Sequence, residues 1–131
     1  MRRILFLALF SSSLALAACG GSDDSEHENA SPAVARKEVA ETRDALNAAL
    51  ATYKQGDKAG AREQVAEAYV SHFEEVEGPL EGKDDELKES LEHAISDNLR
   101  SSMKAGKPAR AIEAQVKAIV ADLDKAEAAL Q

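Results

Sequence analysis

Residues 108–130 read PARAIEAQVKAIVADLDKAEAAL, and this stretch decides the fold. Its large apolar side chains recur at alternating spacings of four and three residues, which places them on one stripe of an α-helix. The stripe consists of Ile112, Val116, Ile119, Leu123, Ala126 and Leu130. Pro108 suits the first turn, because the N–H that proline lacks would have no partner there. The stretch therefore predicts an amphipathic helix that packs through a single seam.

Three upstream runs show the same periodicity and predict three more helices. The first run ends at Gly56-Asp57, and its seam is Val39, Thr42, Leu46, Ala49, Leu50 and Tyr53. The second ends at Gly78-Pro79, and its seam is Ala61, Val65, Ala68, Tyr69, Phe73 and Val76. The third begins after the candidate N-cap Asp84 and ends near Gly106, and its seam is Leu87, Leu91, Ala94, Ile95, Asn98 and Ser102.

The connections between these runs are short, and short connections make neighbouring helices antiparallel. No run of alternating polar and β-branched residues competes with the helical pattern. We therefore predict an all-α fold, an antiparallel up-down four-helix bundle, over residues 33–131.

The N-terminus has the features of a bacterial lipoprotein leader. Two arginines precede an apolar region, which ends in the lipobox-like sequence LAAC at Cys19. Cys19 is the single cysteine of the chain and has no partner for an internal disulfide. We expect residues 1–18 to be a signal peptide and Cys19 to be lipidated, which would hold the protein at the extracytoplasmic face of the cell envelope. The alternative is an ordinary secretory signal with a cysteine nearby by chance.

Residues 19–32 are rich in Gly, Ser and acidic side chains, and we expect them to form a disordered, lipidated tether. Without the leader the chain has 14 Lys and Arg against 24 Asp and Glu, a formal charge of −10. Such a charge opposes binding to nucleic acid, because the phosphates would be repelled.

The segment AYVSHFEEVEGPL, residues 68–80, raises the question of a metal site. Helix geometry places His72 near the seam, with Glu75 one turn away on the same side. An antiparallel third helix would bring Glu89, Glu92 and His93 to a similar level. The paired Glu-x-x-His motifs of di-iron bundles are absent from the sequence, so a histidine at the edge of the core with solvated glutamates stays open as the alternative.

Enzymatic motifs are not found. The sequence has no glycine-rich phosphate loop and no nucleophile motif in a strand–turn–helix context. We expect a protein that is not an enzyme.

Residues 52–100 resemble the extracytoplasmic helical domain of bacterial high-affinity iron permeases of the oxidase-dependent, Ftr-type family. The positions that carry the resemblance are Tyr53, Gly56, Asp57, Ala61, Ala68, Tyr69, Phe73, Glu74, Leu87, Glu92 and Arg100. The sequence runs to Gln131 without the membrane-embedded motifs of the permease, so the resemblance implies a stand-alone accessory of iron uptake.

The resemblance implies that Glu74 and Glu92 belong to the cation site, whereas His72, Glu75 and Glu89 follow from helix geometry. The cation would be iron, or copper, and the partner an iron permease or another envelope protein. A second class of function stays open, in which the bundle is a structural or adaptor lipoprotein that docks on an envelope protein and binds no metal.

Overall fold

The computed structural model describes residues 30–131, and within them the chain forms four helices and no strand. Helix α1 is Pro32–Lys54, α2 covers residues 58–80, α3 covers residues 85–104, and α4 is Ala109–Ala129. The predictions of an all-α fold and of a four-helix bundle are thereby confirmed. The predicted signal peptide, Cys19 and all but the end of the predicted tether lie outside the described residues.

Helices α2 and α3 each contain a π-helical segment. In α2, residues Tyr69–Phe73 separate the α-helical parts Lys58–Ala68 and Glu74–Leu80. In α3, residues His93–Leu99 separate Asp85–Glu92 from Arg100–Lys104. A π turn bonds residue i to residue i+5, so each segment is a locally widened helix.

The helix ends follow from side-chain caps and from glycine. Asp57 accepts a hydrogen bond from the Gly60 N–H at 2.8 Å, and Asp84 accepts one from the Leu87 N–H at 3.0 Å. Both satisfy first-turn donors that have no partner inside the helix. Gly56 follows α1 with a φ of 97°, a conformation that residues with a Cβ rarely adopt.

The sequence predicted that α2 ends at Gly78-Pro79. In the structure α2 continues to Leu80. Pro79 removes one backbone hydrogen bond near the end of the helix. Leu80 is fully buried, and we attribute the one extra helical residue to the burial of its side chain. The chain leaves the helical conformation at Glu81, whose ψ is 134°.

The core lies between the four helices and consists mostly of the predicted seams. Every predicted seam residue of α1 and α4 is buried. In α2 the exception is Tyr69, which is half-buried. In α3, Leu87 and Ala94 are half-buried, and the prediction of Asn98 is wrong, because Asn98 is exposed and Leu99 is buried instead. The π segment explains the shift, since a widened turn changes which residues face the core.

Polar contacts between α1 and α4 run along the length of both helices. The Arg36 guanidinium donates to the Leu130 carbonyl at 2.8 Å, near the start of α1 and the end of α4. At the opposite ends, the Tyr53 hydroxyl donates to the Lys107 carbonyl at 2.7 Å, and Lys54 pairs with Glu113 at 3.1 Å. The last two contacts hold the final turn of α1 near the beginning of α4.

Charge is distributed unevenly over the bundle. Residues 69–92 hold nine Asp and Glu against two Lys, whereas residues 93–118 hold five Lys and Arg against two Asp and Glu. The end of α2 and the start of α3 are therefore acidic, and the end of α3 and the start of α4 are basic. In the described residues, no helix is both long enough and apolar enough to cross a membrane.

Candidate functional site

The candidate site lies at the π segment of α2, where the backbone departs from regular α-helical geometry. Buried Ala68 and buried Phe73 are five residues apart, which in an α-helix would place them about 140° from each other. The π turn takes up the extra residue and lets both side chains reach the core. A spacing of five between apolar residues, here Ala68 and Phe73, is thus the feature of the sequence that indicates this segment.

The same widened turn aligns Tyr69 with Glu77. Eight residues of regular α-helix would leave these two side chains about 80° apart. One extra residue in a wide turn takes up about 100°, so the remaining difference is about 20°. The Tyr69 hydroxyl donates a hydrogen bond to Glu77 Oε1 at 2.7 Å, and the Tyr69 ring lies 5.7 Å from the Phe73 ring.

The carboxyl group of Glu77 lies in an environment that opposes ionisation. Burial raises its pKa above the ordinary value of 4.5, and the negative charges of Glu92 and Glu74 raise it further. The hydrogen bond from Tyr69 and the charge of Lys88 act in the other direction. A half-buried carboxyl near two other carboxylates is a group that binds a proton or a cation more readily than a solvated one.

The same surroundings change the pKa of the Tyr69 hydroxyl. Burial raises the pKa of its hydroxyl, and the hydrogen bond to Glu77 together with the charges of Glu77, Glu92 and Glu74 raises it further. We name the four residues Tyr69, Glu74, Glu77 and Glu92 the Tyr69 cluster. Glu92 lies on α3 and the other three lie on α2.

His72 points away from this cluster. Its Nδ1 lies 2.8 Å from Oε2 of Glu38 on α1, and the two side chains are 30% and 14% exposed. The hydrogen bond with His72 lowers the pKa of Glu38, and neighbouring Lys37 lowers it further against the opposing effect of burial. His72 thus links α2 to α1, whereas the sequence placed it at the level of glutamates on α3.

The five residues predicted to bind metal are not gathered at one point. Glu74 and Glu92 lie at the Tyr69 cluster, His72 contacts Glu38, and Glu75 and Glu89 are exposed. His93 is exposed and lies 3.4 Å from Asp97. Among residues 30–131, no group of three or more His, Cys, Asp or Glu is arranged to hold a metal ion.

Sequence reasoning missed Glu77 and Glu38. Glu77 was visible in the segment at residues 68–80, but a regular helix that ends at Gly78-Pro79 gives it no relation to Tyr69. The spacing of five between Ala68 and Phe73 could have revealed it. Glu38 lies beside the seam residue Val39, and no signal in the sequence pairs it with His72.

The positions that resemble the permease domain divide into three groups in the structure. Several serve the fold itself, as buried or partly buried residues or at helix ends: Tyr53, Gly56, Asp57, Ala61, Ala68, Phe73 and Leu87. Three others, Tyr69, Glu74 and Glu92, belong to the Tyr69 cluster. Arg100 lies elsewhere, in a groove between α2 and α3.

Comparisons with protein-family models, with curated proteins and with solved structures give no match to this chain.

Proposed function

We propose that this protein is a lipid-anchored, extracytoplasmic accessory of metal uptake that captures a cation, iron or copper, and hands it over to a membrane partner. The observation that carries the proposal is the Tyr69 cluster, in which a half-buried carboxyl accepts a hydrogen bond from a tyrosine and has its pKa raised by burial and by the charges of Glu92 and Glu74. In this proposal the helices form an antiparallel up-down bundle, the partner is an iron permease or another envelope protein, and the chain catalyses no reaction.

The chemistry of the cluster suits a hard cation. Carboxylate and phenol oxygens are hard ligands, and a bound cation would relieve the repulsion between Glu74, Glu77 and Glu92. Binding at Glu77 would compete with a proton, so capture would weaken as the pH falls. Because the described residues hold no closed ligand set, binding would need small side-chain movements and would be weak. Weak binding favours transfer over storage.

Calorimetry of the mature chain with iron, and separately with copper, tests the proposal. We expect Glu74→Gln/Glu92→Gln and Glu77→Gln to weaken binding, since the first removes two carboxylates from the Tyr69 cluster and the second removes one. Asp44→Asn/Glu63→Gln is the matched control, because both residues are exposed and lie outside the cluster. Binding that is equally strong in the cluster variants would remove these residues from the site.

The second candidate function is that of an adaptor that binds no metal, and two observations favour it. The described residues lack a formed metal-ligand group. Val70, in the π segment, is a large apolar side chain that is 58% exposed. If calorimetry detects binding of neither iron nor copper, the adaptor function becomes the better proposal. A photo-crosslinker at position 70 should then capture one envelope protein that a crosslinker at exposed position 117 does not.

A further inference from the structure

A small basic groove lies between the beginning of α2 and the end of α3. Its volume is about 330 Å³, and it is lined by Arg62, Ser96, Asp97, Arg100, Ser101 and Lys104. It is separate from the Tyr69 cluster, since none of the cluster residues lines it. A volume of this size lies at the lower end of the range for sites that bind small molecules.

The three cations of the groove have no carboxylate partner within the described part of the chain. Within residues 30–131, no Asp or Glu oxygen lies within 4.0 Å of Arg62, Arg100 or Lys104. By contrast, Arg43 contacts two carboxylates, at 2.7 and 2.9 Å. Several other Lys and Arg side chains of the described residues also form no salt bridge, so the feature that distinguishes this place is that three cations line one groove.

Helix electrostatics explains only part of this arrangement. Lys104 occupies the last turn of α3, where the helix dipole stabilises a cation. Arg62 is the fifth residue of α2, beyond the first turn, and gains no stabilisation from the helix dipole. Arg100 lies in the interior of α3 and makes one long contact of 3.5 Å to the Ser96 carbonyl. Both guanidinium groups keep most of their donors available.

The donors in the groove match an oxyanion. Guanidinium groups bind phosphate and carboxylate oxygens through paired, charge-assisted hydrogen bonds. The ammonium group of Lys104 and the hydroxyl of Ser101 add further donors. Ser96 already donates its hydroxyl to the Glu92 carbonyl at 2.8 Å. Asp97 is the one carboxylate of the groove, and it faces His93 at 3.4 Å.

We infer that this groove binds a small multivalent oxyanion, such as phosphate or citrate. Two or more negative charges on the ligand would neutralise the charge of the three cations, and their attraction would exceed the repulsion from the Asp97 carboxylate. The inference does not depend on the proposed cation site, because the two sites share no residue and have opposite charge.

Titration of the mature chain with inorganic phosphate and with citrate at low ionic strength tests this inference. We expect binding by calorimetry, amide NMR shifts confined to residues near 62 and 96–104, and weaker binding as salt is added. Arg62→Gln/Arg100→Gln should reduce the affinity about tenfold or more, as expected for the loss of charge-assisted hydrogen bonds. Lys117→Gln/Lys125→Gln removes the same charge from two exposed α4 residues and should leave the affinity within about twofold.

Three results would overturn the inference. They are the absence of binding by either anion, equal losses in the groove variant and the control variant, and NMR shifts outside the groove. An unchanged far-UV circular dichroism spectrum checks that the groove variant is folded. Vesicles with phosphatidylglycerol separate the two sources of phosphate when the protein is produced without the proposed lipid on Cys19, since that lipid would itself insert into vesicles. Binding of this protein to vesicles but to neither free anion would assign the groove to a lipid headgroup and reject the small ligand.

Discussion

At the scale of single residues, two glutamates illustrate how surroundings decide the behaviour of a carboxyl group. Glu38 has a lowered pKa because it accepts a hydrogen bond from His72, whereas Glu77 has a raised pKa because burial and two neighbouring carboxylates oppose its charge. Both carry the same side chain and both lie beside the core. Their contributions to stability should therefore depend on pH in opposite directions.

The contributions of Glu38 and Glu77 to stability can be distinguished by measuring the free energy of unfolding of each variant from about pH 3 to pH 7. The lowered pKa of Glu38 stabilises the fold above its ordinary value of 4.5, and this stabilisation is lost as the pH falls below it. The raised pKa of Glu77 means that the fold loses stability as the pH rises through 4.5. Glu38→Gln should thus be most destabilising near pH 7, while Glu77→Gln should become more favourable relative to wild type as the pH rises. Parallel profiles for the two variants would contradict both assignments.

Leu123 tests the packing of α4. Its side chain is fully buried, and Leu123→Ala should lower the free energy of unfolding by about 2–5 kcal/mol through lost burial and the cavity left behind. Lys117→Ala is the control, because the Lys117 side chain is 76% exposed and should change stability by only a few tenths of a kcal/mol. Denaturant titration measures both. A loss near zero for Leu123→Ala would mean that α4 contributes little to the core.

At the scale of elements, the two helices with regular seams were predictable and the two with π segments were predictable only in part. In α1 and α4 the three- and four-residue spacing continues from end to end, so the sequence identifies the buried face. In α2 and α3 a widened turn shifts the phase, which explains both the error at Asn98 and the missed partner of Tyr69. The candidate site was the least predictable part, because it depends on that phase.

The π segment of α2 predicts an asymmetry between two deletions. Removing exposed Val70 would place Ala68 and Phe73 four residues apart, the spacing of a regular α-helix. The helix can then close without a π turn, and we expect a cooperative thermal transition at a similar or higher temperature. Removing exposed Ala48 from the regular helix α1 would rotate Val39, Thr42 and Leu46 away from the core and should abolish that transition. Circular dichroism melts compare the two variants. An equal loss of the thermal transition in both would contradict the view that the widened turn accommodates one extra residue.

At the scale of the whole molecule, the lipoprotein interpretation depends on Cys19. Cys19→Ser should release the protein from the membrane fraction and leave its helical spectrum unchanged, because the core lies within the described residues. Detergent-phase partitioning of the wild type and the variant is the measurement. Retention of Cys19→Ser in the detergent phase would reject lipidation as the anchor.

The separation of acidic and basic stretches makes the bundle a permanent electric dipole. Two molecules in dilute buffer would attract one another when the basic end of α3 and α4 in one approaches the acidic turn between α2 and α3 in the other. Such attraction is directional and lowers the osmotic second virial coefficient below the value that net charge alone would give. Added salt shortens the Debye length to about 10 Å at 0.1 M. Screening of this attraction by salt should therefore raise the osmotic second virial coefficient, whereas screening of uniform repulsion between acidic proteins would lower it.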